Sequence, residues 1–191
     1  MRRFALFVLA LAACAPLAVA QTSTWVPDKD HSSVDFSILH MSLSKVHGHF
    51  GKIGGTVVWN EADISKSNVN VTIDTTTIDT GVSGRDNDLK SPNFFDVTQY
   101  PTASFVSTNI ARAGKNLTVS GNLTVHGITK PVVLQVEGPV GPVQGMGNKM
   151  HAGFSATTTL SRSAFNLGSK YPPAVVGDEV SLTIDLDLVK Q

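Results

Sequence analysis

The amino-acid sequence predicts an all-β fold: an eight-stranded antiparallel β-barrel with short helical segments capping one end. Three observations carry that prediction. About eight segments alternate apolar and polar residues with a period of two, the pattern of strands with one buried face. Their connections are mostly short, with no long helices between them, which argues against a parallel α/β arrangement. The last segment is long and free of proline, with Val180, Leu182, Ile184, Leu186 and Leu188 set against Ser181, Thr183, Asp185 and Asp187. A closing barrel needs such a strand to meet its first one, although a sandwich stays open as the alternative.

Residues 1–20 have the form of a secretory signal peptide. Arg2-Arg3 precede the apolar run Phe4 to Ala13, Pro16 breaks it, and Ala18-Val19-Ala20 supplies a small-x-small cleavage pattern. The run is too short to span a bilayer as a stable helix. The expected mature chain is 21–191, exported to the periplasm as one domain. A competing reading takes Leu11-Ala12-Ala13-Cys14 as a lipobox, with the protein anchored through Cys14. Under soluble export no cysteine remains, which removes disulfides, thiol nucleophiles and thiolate metal sites.

Net charge is zero, so the overall charge makes no electrostatic case for nucleic acid or an anionic membrane surface as a partner. Removing Arg2 and Arg3 from the 15 basic residues leaves 13 against 15 acidic, a net −2 for 21–191.

The first strand signal is Val34, Phe36 and Ile38 against Ser33, Asp35 and Ser37. Phe50 to Trp59 reads as a second strand, bent at Gly51, Gly54 and Gly55. After a polar connection at Glu61-Ala62-Asp63, Val69, Val71 and Ile73 alternate again. Ala103 to Ile110 follows, and Ala113-Gly114-Lys115-Asn116 reads as a hairpin turn. Leu117, Val119, Gly121, Leu123 and Val125 then share one face, with Thr118, Ser120, Asn122 and Thr124 on the other. Gly127 and Pro131 bracket a turn before Val132 to Val136; Pro139 to Gly147 reads as a loop; Phe154 to Leu160 is the penultimate strand. A membrane barrel shares this period, but the two Trp and two Tyr residues do not recur at strand ends as aromatic girdles do.

Residues 84–97 do not alternate. Ser91-Pro92 reads as a helix start, and Phe94 and Phe95 project from one short turn. Arg85, Asp86 and Asp88 suggest a short turn just before it, and Tyr100-Pro101 closes the segment. The segment is expected to plug one end of the barrel. Two readings of Arg85 stand: a salt bridge to a neighbouring aspartate, or a cation facing a ligand.

Chemistry-bearing patterns are sparse. Among six histidines, His47 and His49 point the same way on a strand, but no His-Glu-x-x-His or Cys-x-x-Cys pattern supplies a third metal ligand. His31 near Ser32 and His40 near Ser37 lack a nucleophile elbow. No phosphate loop opens a helix. The inward rows are Val, Leu and Ala with interspersed small residues such as Gly121, Ala152 and Ala156. A barrel of about eight strands holds either packed side chains or one small ligand. The small residues favour an apolar cavity, with a filled core as the plain alternative.

From Thr24 to Val189 the motifs together resemble the YceI-like family of bacterial lipocalin-like polyisoprenoid-binding proteins. They run through Asp30-His31-Ser32, Phe36, His40, Val46, Gly48 and Phe50, then Arg85-Asp86, Leu89, Ser91, Phe94-Phe95-Asp96, Tyr100-Pro101 and Phe105. They continue with Gly121-Asn122-Leu123-Thr124, His126-Gly127, Lys130-Pro131-Val132, Gly153-Phe154, Arg162, Phe165 and Gly177-Asp178-Glu179-Val180. Two positions depart from the family pattern: Asp88 stands where a His is usual, and Asn166 where a Gly is. The resemblance implies an extended, lipocalin-like barrel around a hydrophobic tunnel for an isoprenoid lipid, of polyprenyl phosphate or quinone type. It carries over no catalytic residues, cofactor or metal. Phe36, Phe50, Phe94, Phe95, Phe105, Leu123, Val125, Phe154 and Phe165 are the expected wall or lid residues, and Arg85 and Arg162 the expected head-group cations. Transient membrane contact and a homodimer are further expectations. The rival readings are an envelope-stress scaffold without ligand and an enzyme acting on a small periplasmic substrate.

Overall fold

The computed structural model describes residues 22–191. The signal segment, the cleavage before Gln21 and Cys14 lie outside the described residues. Ten strand segments form one antiparallel sheet: β1 (Thr22–Pro27), β2 (Ser33–His40), β3 (Ser44–Phe50), β4 (Ile53–Asn60), β5 (Asn68–Asp74), β6 (Thr102–Ala113), β7 (Asn116–Val125), β8 (Ile128–Gln144), β9 (Met150–Ser161) and β10 (Val176–Lys190). Helix α1 (Ser83–Lys90) lies between β5 and β6.

The ten segments make eight barrel staves. β1 and β2 lie end to end against β10, with Trp25 opposite Lys190 and Val34 opposite Ile184. β3 and β4 likewise follow one another, β3 on β2 and β4 on β1. From β4 the order runs β5, β6, β7, β8, β9, β10, and the β1–β10 pairing closes the ring. The breaks have local causes. Asp28 Oδ1 accepts from the Asp30 and His31 amides, turning the chain between β1 and β2. The Gly51 amide donates to Thr77 Oγ1 instead of to a strand.

Alternation placed β7 and β10 correctly. In β7 the row Leu117, Val119, Gly121, Leu123 and Val125 is buried and faces the interior. Its polar row faces outward, the reverse of a membrane barrel. Two strands escaped the periodic reading. β1 is short and buries one aromatic, Trp25, and β3 carries a single buried residue, Phe50, at its end.

Three expectations are corrected. The stretch 139–147 is not a loop through most of its length, because β8 runs on to Gln144. Pro139 and Pro142 fall at its two register shifts, where the ladder asks no amide of them. The turn before β8 is the two-residue His126-Gly127, both at positive φ, while Pro131 sits within β8 opposite Asn122. Ser91-Pro92 does not start a helix: α1 ends at Lys90 and Ser91 caps its C-terminus. Beyond it the amides of Phe94 and Asp96 both donate to Ser91 O, and Asp96 turns at φ 44. Ser91 Oγ still accepts from the Asn93 amide, so this serine organises a turn.

Candidate functional site

The interior holds two apolar chambers. The larger, about 300 Å³, lies beneath α1 and the 91–97 turn. The smaller, about 120 Å³, lies deeper, toward β1, and Thr158 is the one polar residue on its wall. Val34, Ile73, Leu123 and Leu182 line both and form a waist between them. Each comes from the inward row of a different strand, so the period-two pattern builds the waist directly.

All eleven residues singled out from the sequence line one chamber or the other. Phe36, Phe50 and Phe95 form a chain of ring contacts in the larger chamber, at 5.9 Å and 5.6 Å between centroids. Phe94 is buried and stacks on Tyr171 at 5.5 Å. Val125 and Phe165 complete that end. Phe105 and Phe154 line the smaller chamber, where Phe154 meets Trp59 at 5.6 Å.

The small residues act differently from expectation. Ala156 lines the smaller chamber, but Ala152 packs among Trp25, Val57 and Leu188. Gly121 opens no cavity, because the Phe105 ring fills the space beside it. Phe36 covers Gly48 and Phe94 covers Gly168 in the same way. Three of the family phenylalanines thus lie flush with the wall because a neighbouring strand or loop omits its side chain.

The two arginines have different roles. Arg162 is 5% exposed and donates to the carbonyls of Gly177, Leu167, Gly168, Tyr171 and Val176 at 2.7–2.9 Å. Five bonds engage all five guanidinium hydrogens, so none remains for a ligand head group. The expected role of Arg162 as a head-group cation is therefore revised: it ties the 167–177 segment to β9. Beside it, the Asp178 carboxyl is held below the ordinary carboxylate range, chiefly by the hydrogen bond from Ser161, with the Ser163 backbone and Arg162 adding to the effect against burial.

Arg85 is half-buried on the larger chamber. Its Nε donates to Thr80 Oγ1 at 2.7 Å and its Nη2 to Thr80 O at 2.9 Å. Thr80 in turn donates to Asp86 Oδ1 through both its amide and its hydroxyl. The expected salt bridge is thus replaced by a threonine relay, and three of the five guanidinium hydrogens have no protein partner among the described residues. Asp88, the first departure from the family pattern, also lines this chamber and accepts from Asn93 Nδ2 and the Tyr171 hydroxyl. Asn166, the second, is exposed and adopts a left-handed conformation, φ 56 and ψ 27. Glycine suits that geometry best and asparagine next, which accounts for the exchange.

Sequence reasoning missed Tyr171, Leu89 and Trp59 as wall residues. Tyr171 sits in a Pro-containing loop and Leu89 on a short helix, so neither shows a strand period. Among the described residues no three His, Cys, Asp or Glu side chains converge as metal ligands, and no helix is long and apolar enough to cross a membrane.

Comparison with known proteins agrees with this architecture. The YceI-like domain description matches residues 25–188. The chain is 36% identical over 165 residues to Protein YceI of Salmonella newport, covering 84% of this chain and 83% of that one. It is 33% identical over 186 residues to a UPF0312 protein of Pectobacterium carotovorum, covering 97% and 95% respectively. Among solved structures, BcnA of Burkholderia cenocepacia superposes with a TM-score of 0.75 at 27% identity, over 84% of this chain and 98% of that one. A polyisoprenoid binding domain from Saccharophagus degradans shares the fold, with a TM-score of 0.66 at 14% identity, over 90% of this chain and all of the other. By the extent of these matches, the chain belongs to the YceI-like family.

Proposed function

We propose that the protein is a periplasmic binding or carrier protein that holds the tail of one long isoprenoid lipid in its two chambers. The observation that carries this reading is the pair of apolar chambers joined at an apolar waist, running lengthwise through a closed barrel. Burying apolar surface stabilises by about 25 cal/mol per Å². A long unbranched path therefore rewards a chain-like tail far more than a compact solute. The fold is shared with a domain described as polyisoprenoid binding. Charged and titratable groups line the larger chamber and not the smaller, Arg85, Asp88 and Tyr171 among them. The tail enters with its head group left there, and Arg85 favours a phosphate over a neutral quinone ring. Nothing in this role calls for a catalytic group or a cofactor.

The test is extraction of protein purified without detergent from its native envelope, followed by mass spectrometry of the extract. A stoichiometric isoprenoid lipid is expected, with the mature chain starting at Gln21. Protein that is empty, and that takes up neither a polyprenyl phosphate nor a quinone when offered, overturns the reading in favour of a scaffold. Arg85→Gln is expected to weaken the phosphate ligand and leave the quinone unchanged.

A further inference from the structure

A carrier of this kind needs a route between membrane and chamber, and the gradient of burial along β2 marks one. Its inward side chains pass from buried Val34 through half-buried Phe36 and Ile38 to exposed His40, and all four line the larger chamber. The chamber therefore opens at the β2–β3 hairpin tip. That tip is apolar: Leu39 is 40%, Met41 53% and Leu43 83% exposed. Met41 and Ser42, both at positive φ, make the bend that presents them. Exposed Val175 joins the same rim, where the Met41 amide donates to Val175 O at 2.9 Å. Leu39 belongs to both rim and chamber wall.

The charge around the mouth is one-sided. From Phe36 to Asn60 and from Arg162 to Gly177 the chain carries no carboxylate, although residues 21–191 hold more acidic than basic residues. Lys45 pairs across the hairpin with Leu39, and Lys170 lies beside the wall residue Tyr171. Of the nearby carboxylates, Glu179 is exposed on β10 opposite Ser161, while three others are engaged or turned inward. The Asp79 backbone bridges His49 while its side chain accepts from the Gly81 amide. Asp178 accepts from Ser161 and Ser163, and Asp88 faces the chamber.

We infer that this rim docks on the surface of an anionic phospholipid bilayer. Leu39, Met41, Leu43 and Val175 enter the headgroup–acyl boundary, and Lys45 and Lys170 meet lipid phosphates. The larger chamber then faces the acyl region directly, so an apolar ligand transfers without crossing water. This purpose rests on the reading of the chambers as a lipid site; the docking itself does not. A second copy of the chain fits the rim poorly. Four small-area side chains fall well short of the roughly 800 Å² per partner of a stable dimer, and a two-fold contact would bring the lysines of both copies together.

The experiment is flotation of the full exported protein with phosphatidylcholine vesicles, with and without phosphatidylglycerol, alongside lipid extraction from the same preparation. Wild type is expected to float with the anionic vesicles and to lose binding as salt rises. Leu43→Asp is expected to lower the partition coefficient about tenfold or more, the scale of one buried leucine, with an unchanged melting temperature because Leu43 is 83% exposed. Lys45→Glu together with Lys170→Glu is expected to abolish the preference for phosphatidylglycerol. Flotation of Leu43→Asp equal to wild type overturns the proposal. So does wild type that carries lipid yet stays unbound, which leaves the carrier reading intact. So does a Leu43→Asp variant whose only change is conversion of a dimer to a monomer in sedimentation. Wild type that floats but is empty of lipid supports the docking and counts against the carrier.

Discussion

The ring of Phe105 occupies the space that a side chain on Gly121 would need, so the two residues act as one wall unit across β6 and β7. Gly121→Ala is expected to cost about 1–3 kcal/mol through overpacking. Urea unfolding measures it. Phe105→Leu in the same chain is expected to recover part of that loss, giving a coupling energy that separate effects would not show.

Arg162 is the tie for a loop that makes part of the mouth. Arg162→Met keeps the volume but leaves buried carbonyls unpaired, with an expected loss of about 3 kcal/mol or more. Arg162→Lys brings only three donors in place of five and is expected to rescue the variant incompletely. Chemical denaturation checks both, and protection of the 167–177 amides from hydrogen exchange is expected to fall first.

Leu123 stands at the waist between the chambers. Leu123→Phe is expected to narrow it, so that long isoprenoid tails bind weakly while short ones still fill the larger chamber. Titration with a homologous series of tail lengths reads this out. Equal loss across the series would show that the smaller chamber takes no part in binding.

Phe94 and Phe95 are neighbours with different expected effects. Phe94 is buried against Tyr171 and Gly168, so Phe94→Ala is expected to cost about 3–5 kcal/mol of stability. Phe95 is less buried and meets Phe50 edge-on, so Phe95→Ala is expected mainly to speed ligand release. Stopped-flow dissociation at matched folded fraction distinguishes the two.

The lowered pKa of Asp178 gives an acid limb to stability. Its carboxylate is favoured in the folded state, mainly by Ser161. That contribution is therefore complete above the unfolded carboxylate pKa, about 3.9, and is lost as pH falls through the lower folded value. Asp178→Asn is expected to flatten melting temperature against pH in this window and to leave neutral pH dependence unchanged.

The barrel was legible because apolar alternation states which face of a strand is buried. Leu117 to Val125 and Val180 to Leu188 needed no other information. The same rule misread 139–147, where Gly and Pro signal a turn but the strand survives by shifting register around them. It also could not reveal the partner of a glycine: Gly121 looks like empty space until Phe105 is placed across from it. The roles of the two arginines depended on contacts that no local pattern encodes. Arg162 is held by five carbonyls from 167 to 177, and Arg85 by Thr80, five residues upstream.

The seam between β1 and β10 sets the order of events by which the barrel is made. Trp25 waits for Lys190, and the Gln191 amide donates to Thr24 O at 2.9 Å. The sheet thus closes through a pairing whose partners lie nearly the whole described chain apart, and loop-closure entropy makes such contacts late and slow. Until the final strand arrives, β1 offers an unpaired edge and the inward apolar rows lie open to other chains. Nascent molecules are therefore most prone to aggregate just before completion, and a holdase would act on that open-seamed intermediate.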